Sequence, residues 1–278
     1  MAQAHFDVFV VGGGINGTGI AADAAGRGLN VGLCEMGDLA HATSSSSSKL
    51  IHGGLRYLEH YEFRLVKEAL TEREVLLKIA PHLVTPLRFQ MPHRSHLRPA
   101  WLIRLGLFLY DNLGKRETLA GSHGVKYDAN SPLKSDITKG FEYSDCWVDD
   151  ARLVVINALS AQQNGANIFA RTRCTAAKRV NGRWHITLED QITKKSQLIT
   201  ADALVNAAGP WVSSFIESQM EQKPPYGIRM IKGSHVVVPK LYQHANAFIM
   251  QNTDKRIVFA IPYREHYTLI GTTDVEYK

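Results

Sequence analysis

The residues best suited to chemistry in this 278-residue sequence are three glycines, Gly12, Gly14 and Gly17, and one acid, Glu35. The glycines form Gly-x-Gly-x-x-Gly between a β-branched apolar run, Asp7 to Val11, and a stretch of small side chains, Ile15 to Arg27. Glu35 ends the next apolar run, 18 residues beyond Gly17. In this setting the first glycine permits a tight turn, the second lets backbone approach a pyrophosphate, and the third lets a helix pack on a strand. The helix N-terminus then faces the phosphate charge. Glu35 is placed to accept hydrogen bonds from an adenosine ribose, and its carboxylate disfavours a 2′-phosphate, so NADP is not expected. The motif leaves FAD and NAD both open, and out of context it is an ordinary glycine turn.

Strand, helix and strand must hold these residues, and the spacing predicts a βαβ unit with a parallel pair. Gly28 is placed to cap the helix, and Leu29 to Glu35 forms the second strand. Further helices are expected over Tyr61 to Ala80, stopped by Pro81, and over Trp101 to Leu113. A third, over Leu153 to Ala161, follows Asp149-Asp150, which reads as a cap rather than an acid–base pair. Between the first two, Pro86, Pro92 and Pro99 break up strand-like pieces. Asn167 to Val180 and Arg183 to Leu188 alternate around Asn181-Gly182, a strong hairpin signal. Leu204 to Ala207 is a short strand. The tail carries four more, His235 to Val238, Ala247 to Met250, Ile257 to Ile261 and Tyr267 to Ile270.

Composition excludes several classes. With 45% hydrophobic and 21% charged residues the chain is not disordered, and three cysteines without metal-like spacing indicate neither a disulfide framework nor a metal site. No apolar run is long enough to span a membrane, and the N-terminus lacks the pattern of a secretory signal. The net charge of +6 is concentrated: residues 81–126 hold seven basic side chains against Asp111 and Glu117, a net of +5. Two readings stand for this region. One is a helix lying on an anionic membrane surface between Arg98, Arg104, Lys115 and Arg116. The other is a buried helix whose flanking charges face water. No nucleic-acid module is present.

The stretch Thr43 to Glu59 (TSSSSSKLIHGGLRYLE) resembles the flavin-proximal segment of FAD-dependent glycerol-3-phosphate dehydrogenases of the aerobic, respiratory type, within the D-amino-acid-oxidase-like flavoproteins. Gly140 to Leu153, Leu204 to Trp211, Ile228 to His235 and Ile270 to Tyr277 resemble the same family in the same order. The resemblance implies an α/β chain: a Rossmann-like FAD-binding domain with a central parallel sheet, plus an antiparallel-sheet substrate domain that is truncated at the C-terminus. Family members continue past the equivalent of Lys278. The implied division is 1–60 for the βαβ unit and flavin loop, 61–145 for a helical, basic insertion, 146–212 for a return to the FAD-binding domain, and 213–278 for an incomplete substrate domain.

The resemblance also implies site residues. Gly12, Gly13, Gly14, Ile15, Asn16, Gly17, Glu35, Met36, Thr43, Ser44, Ser45, Ser46, Ser48, Lys49, Leu50, His52, Gly53, Ala208 and Gly209 would contact FAD. Hydroxyls and N–H groups of the serine run suit the pyrophosphate or ribityl chain, the bland alternative being a flexible linker. His52-Gly53-Gly54 brings backbone near the flat flavin ring, because glycine has no Cβ to collide with it. His52 is the candidate catalytic group, through a hydrogen bond to flavin or by taking the substrate hydroxyl proton, unless it is structural. Arg56 and Tyr57 belong to the substrate pocket, where the guanidinium fork matches a phosphate; otherwise Arg56 pairs with Glu59. Ala207 to Pro210 is a second backbone approach to the dinucleotide or a plain strand-ending turn. Lys232, Ser234, His235, Thr272, Thr273 and Asp274 are pocket or domain-junction candidates.

The implied activity is oxidation of sn-glycerol 3-phosphate to dihydroxyacetone phosphate, with hydride passing to flavin N5 and electrons to a membrane quinone. The implied location is cytoplasmic, peripheral on the inner face of the cytoplasmic membrane, with residues 98–116 touching lipid and a homodimer as one candidate assembly. A soluble oxidase using O₂ and a non-catalytic flavin-binding fragment are the alternatives.

Overall fold

The structure is a computed structural model that describes residues 3–94, 97–252, 256–271 and 275–277. In chain order its elements are β1 (His5–Val11), α1 (Ile15–Gly26), β2 (Val31–Cys34), β3 (Leu50–Ile51), α2 (Phe63–Ile79), β4 (Val84–Pro92), α3 (Ala100–Leu113), β5 (His123–Lys126), β6 (Lys139–Val148), α4 (Asp150–Gln163), β7 (Asn167–Phe169), β8 (Thr172–Val180), β9 (Arg183–Asp190), β10 (Ser196–Asn206), α5 (Val212–Ser218), β11 (Ile231–Lys232), β12 (Val236–Pro239), β13 (Ala247–Gln251), β14 (Ile257–Tyr263), β15 (Tyr267–Gly271) and β16 (Val275–Glu276). The chain divides into two units, Met1–Ser47 with Asp149–Met230, and Ser48–Val148 with Ile231–Lys278.

The first unit is built on a six-stranded sheet ordered β7-β2-β1-β10-β9-β8. β7, β2, β1 and β10 run parallel, and β9 and β8 continue antiparallel. α1 covers one face because its inward side chains are small: Ala21, Ala24 and Ala25 are buried with Val10, Val31, Leu33 and Ala161. Phe6, Phe9, Ile186, Leu188 and Ile199 fill another cluster. Gly28, with φ +86, follows the end of α1, where its N–H donates to the Ala25 carbonyl at 2.9 Å. Asn181 and Gly182 have φ +51 and +85, the left-handed pair a two-residue hairpin turn requires.

Two expectations needed correction in this unit. Asn167 to Val180 is two strands rather than one, broken at Arg171, whose φ is +52 and whose N–H donates to the Gly37 carbonyl at 2.9 Å. β7 pairs with β2 and β8 with β9, so one alternating run serves two different partners. Leu204 to Asn206, without Ala207, is the end of an eleven-residue strand, β10, whose earlier part is hidden among polar residues. Asp149 is the helix cap expected of it, accepting the Arg152 N–H at 3.4 Å. Asp150 accepts the Ser47 hydroxyl at 2.7 Å.

The second unit holds a mainly antiparallel sheet, β12-β15-β14-β13-β4-β6-β3, with β5 also on β6, and a small β11–β16 pair. The stretch read as proline-broken is one nine-residue strand, β4, in continuous register with β6 from Val84 opposite Val148 to Pro92 opposite Gly140. β13 meets β4 only opposite Phe89 and Gln90, so at Pro86 the strand has one paired neighbour and the missing N–H is tolerated. α2 and α3 pack their inner faces, Val66, Leu70, Leu107 and Tyr110, against Phe89 and Tyr143. Residues 61–145, read as a helical, basic insertion, contribute β4, β5 and β6 to the sheet that holds strands of the tail, and the change of unit falls inside the serine run.

Candidate functional site

β1, β2 and β10 end side by side: Val11 lies opposite Cys34 on one flank and Asn206 on the other. The chain leaves β1 at Gly12 with φ +114, where a Cβ would stand 2.4 Å from the Ala207 carbonyl oxygen. A Cβ on Gly17 would stand 1.9 Å from the Gly12 carbonyl oxygen. Both positions therefore exclude any side chain, for the turn and for the helix–strand approach respectively. Beyond the strand ends lies a cavity of about 490 Å³, lined among others by Gly12, Gly14, Glu35, Met36, Thr43, Ser44, Ala208 and Gly209. It occupies the carboxyl edge of a parallel sheet, where nucleotides bind in such folds.

Glu35 is tied down by backbone. Its Oε2 accepts the Gly13 N–H and its Oε1 the Gly37 N–H, each at 2.8 Å. A carboxylate has about four acceptor positions, so capacity remains for ribose hydroxyls at the cavity wall. At the first turn of α1 the Ile15 N–H donates to Ser44 Oγ at 3.0 Å. That hydroxyl oxygen marks the place of an anionic oxygen at a helix N-terminus whose first turn holds no acid. Asn206 holds the lining residue Ala208 in place, donating from Nδ2 to the Val212 carbonyl at 2.9 Å and accepting the Ala208 N–H at 3.2 Å. The glycine cradle, the fixed acid and the helix N-terminus fit the adenosine-pyrophosphate part of a dinucleotide.

Gly13, Ile15, Asn16, Gly17, Ser45 and Ser46 are not among the lining residues, and the first two act through Glu35 and Ser44. Thr43 to Ser45 forms a turn of 3₁₀ helix, so the start of the serine run is folded. Sequence reasoning missed Cys34, His41, Arg173, Cys174, Trp211 and Gln219, which also line the cavity. Trp211 closes the Leu204–Trp211 stretch; Arg173 lies on β8 and Gln219 directly after α5, and neither carries a local signal. Burial pushes the Cys34 thiol well up and the Cys174 thiol to about 12, away from the thiolate form a nucleophile needs.

The second unit gathers the other predicted residues. Leu50 pairs opposite Trp147 at the sheet edge, and the Lys49 carbonyl accepts the Val148 N–H at 2.9 Å. Ser48 Oγ lies 2.8 Å from His235 Nε2. His52, Gly53 and Gly54 then make a turn in which Gly54, φ +68, donates its N–H to His52 Nδ1 at 3.0 Å. With Nδ1 engaged as an acceptor, a neutral His52 carries its proton on Nε2 and offers a donor. Arg56 and Tyr57 follow on a 3₁₀ helix, Leu55–His60, both exposed. Glu59 is engaged by Arg98, so the ion pair considered for Arg56 goes elsewhere. Lys232 lies over the Tyr277 ring, 5.6 Å from its centroid. Ser234 is exposed, and Thr272, Thr273 and Asp274 lie outside the described residues.

α3 buries Ile103, Leu107 and Tyr110 and exposes Trp101, Leu102, Leu105 and Phe108. Its flanking cations are mostly engaged. Arg98 pairs with Glu59, Lys115 with Glu117 at 3.0 Å and Arg116 with Asp111 at 3.2 Å, while Arg104 donates to the Ser122 carbonyl at 3.0 Å. Among the described residues no helix is long and apolar enough to cross a membrane.

Comparison with known proteins agrees with this geometry. A glycerol-3-phosphate dehydrogenase of Pseudomonas aeruginosa is 64% identical over the whole chain, which covers 56% of that protein. A D-erythritol 1-phosphate dehydrogenase of Brucella abortus is 54% identical over 98% of the chain, covering 55% of that protein. The chain thus spans about half the length of the curated relatives it matches. The structure of a glycerol-3-phosphate dehydrogenase from Bacillus halodurans complexed with FAD superposes with a TM-score of 0.73 at 30% identity, over all of this chain and 49% of that one. Residues 7–278 match the family described as FAD dependent oxidoreductase. With the dinucleotide cradle and the antiparallel second unit both inside that span, the chain belongs to the FAD-dependent oxidoreductase family.

Proposed function

We propose that this chain is the FAD-binding and partial substrate-binding portion of an enzyme that oxidises sn-glycerol 3-phosphate to dihydroxyacetone phosphate and passes the electrons to a quinone. The observation that carries the substrate is the 64% identity with a glycerol-3-phosphate dehydrogenase along the whole chain. Bound FAD supplies the hydride acceptor; the protein supplies binding and orientation. Gly12, Gly14, Ile15, Glu35 and Ser44 hold the adenosine and pyrophosphate. Gly53 and Gly54 give the flavin ring a backbone surface. His52 offers its Nε2 proton as a hydrogen-bond donor, which favours contact with flavin or substrate oxygen over removal of the substrate hydroxyl proton. Arg56 is exposed and suited to a phosphate, with Tyr57 beside it.

The quinone acceptor requires contact with lipid. The exposed face Trp101, Leu102, Leu105 and Phe108 supports that contact, and it does so by apolar area, since the neighbouring cations are largely paired. The location that follows is the cytoplasmic membrane surface.

The test is a visible spectrum of the purified protein followed by anaerobic titration with glycerol 3-phosphate. Bleaching of the flavin band supports the reading, and a flavin bleached only by erythritol 1-phosphate would replace the substrate. Peroxide release in place of quinone reduction would make the protein an oxidase. Replacing Trp101 and Phe108 with Asp should abolish sedimentation with anionic vesicles, and retained binding would remove α3 from the membrane.

A further inference from the structure

Beneath the His52-Gly53-Gly54 turn lies a set of polar groups that the proposed chemistry does not use. The Gly53 N–H donates to Tyr110 Oη at 2.7 Å. Tyr110 Oη donates in turn to Asp145 Oδ1 at 2.6 Å. The same carboxylate oxygen accepts from Arg73 Nη1 at 2.6 Å, and Arg73 Nη1 also donates to the Ser144 carbonyl at 2.8 Å. Tyr110, Asp145 and Arg73 are 2%, 3% and 4% exposed, so solvent does not compete for these bonds. They come from three separate elements, α3, β6 and α2, and meet under one glycine. A Cβ on Gly53 would stand 2.8 Å from Tyr110 Oη and 2.4 Å from Leu70 Cδ2, so the turn is pressed against its support.

The Tyr110 phenol is engaged on both sides, while Arg73 Nε is buried without a partner among the described residues. Burial raises the Tyr110 phenol well above its usual range, so it stays neutral, with one proton for Asp145 and a lone pair for Gly53. A buried Arg–carboxylate pair is at best weakly stabilising compared with apolar side chains of the same volume, because of the desolvation it carries. Its distinctive contribution here is direction. The pair fixes the carboxylate, the carboxylate fixes the phenol, and the phenol fixes the backbone of Gly53. Gly54 is bonded to His52 Nδ1, so the same chain of contacts sets where the imidazole stands.

Resting on the flavoenzyme reading above, we propose that Tyr110, clamped by Asp145 and Arg73, is a positioning residue that sets the height of the His52-Gly53-Gly54 turn for flavin and substrate and influences turnover only through that turn.

The experiment is Tyr110→Phe in the flavin-loaded protein. Amide hydrogen exchange in the segment containing Gly53 and Gly54 should rise by about tenfold while α2 and β6 keep their protection. With glycerol 3-phosphate, kcat should fall by about tenfold with KM changed less than about twofold, and the visible circular dichroism of the flavin should shift at unchanged flavin content. A lower Tm with exchange at the turn, flavin dichroism and kcat all unaltered would make Tyr110 a simple core residue and overturn the proposal. Should Tyr110→Phe fail to fold, Asp145→Asn keeps an acceptor for the phenol while removing the charge that holds Arg73. A smaller rise in exchange confined to the turn then supports the proposal, and no rise overturns it. A wild-type protein without flavin or turnover would sink the functional reading, while the exchange measurement still decides the role of Tyr110.

Discussion

Ser44 Oγ accepts the backbone N–H of Ile15 at 3.0 Å, bridging a loop and the first turn of α1 across 29 residues of sequence. The hydroxyl is small enough to share that helix end with a phosphate. Ser44→Ala removes one intramolecular hydrogen bond of about 1 kcal/mol, so Tm should fall by a few degrees, and FAD affinity, measured by fluorescence titration, should fall as well because the helix end loses the oxygen that fixes it beside the phosphate. An unchanged affinity would separate Ser44 from the pyrophosphate.

Glu35 has two tasks and its replacements should divide them. Glu35→Ala strips the acceptor from the Gly13 and Gly37 N–H groups at once. The expected result is a loss of about 2–4 kcal/mol in chemical denaturation, from hydrogen bonds to a charged group, together with protein that purifies free of flavin. Glu35→Gln keeps one carbonyl acceptor and should recover part of the stability with weaker flavin retention.

Arg56 is exposed on a short 3₁₀ helix and supports no buried structure. Arg56→Ala should therefore leave Tm and flavin content as they are and raise KM for glycerol 3-phosphate by about 10- to 100-fold, the size of a lost charge-assisted contact. Steady-state kinetics against a phosphate-free polyol is the control. If KM holds for the phosphorylated substrate, the phosphate site lies elsewhere.

The second unit should lose stability in mild acid. Burial, helped by the Lys49 charge, depresses His235 below its usual range, and burial depresses His244 against the opposing effects of an Asn246 backbone hydrogen bond and the Glu142 charge. A depressed histidine binds protons less readily folded than unfolded. Stability is thus present in full above about pH 6.5 and declines as the pH falls through that value toward the folded pKa. Urea midpoints between pH 7.5 and 5 should fall with pH, and His235→Asn should flatten the slope. The same slope in the variant would assign the acid sensitivity to other groups.

How far the sequence revealed this molecule depends on how local each signal is. The Gly12-to-Glu35 unit was readable because turn, helix and strand are contiguous and each glycine answers a contact within it, apart from the approach to Ala207. The hairpin at Asn181-Gly182 was readable for the same reason. β4 was not, because the tolerance of Pro86 depends on which neighbour β13 reaches, a matter of tertiary pairing. The split at Arg171 was hidden because one alternating run serves two partners. The cation patch looked stronger in sequence than in space, since Glu59, which neutralises Arg98, lies 39 residues away. Arg173, Gln219 and the Tyr110–Asp145–Arg73 set carry no spacing signal at all, being assembled from separate elements.

The order of strands has a consequence for synthesis. β1 pairs on one flank with β10, His5 opposite Thr200, so β1 must wait for a strand made nearly two hundred residues later. At ribosomal rates of about 5–20 residues per second that wait is on the order of 10–40 s. Throughout it, an apolar strand containing Phe6, Phe9 and Val10 has one edge unfilled. Contacts this distant in sequence form slowly even after release. Conditions that slow translation lengthen the time for which this edge stays exposed to aggregation.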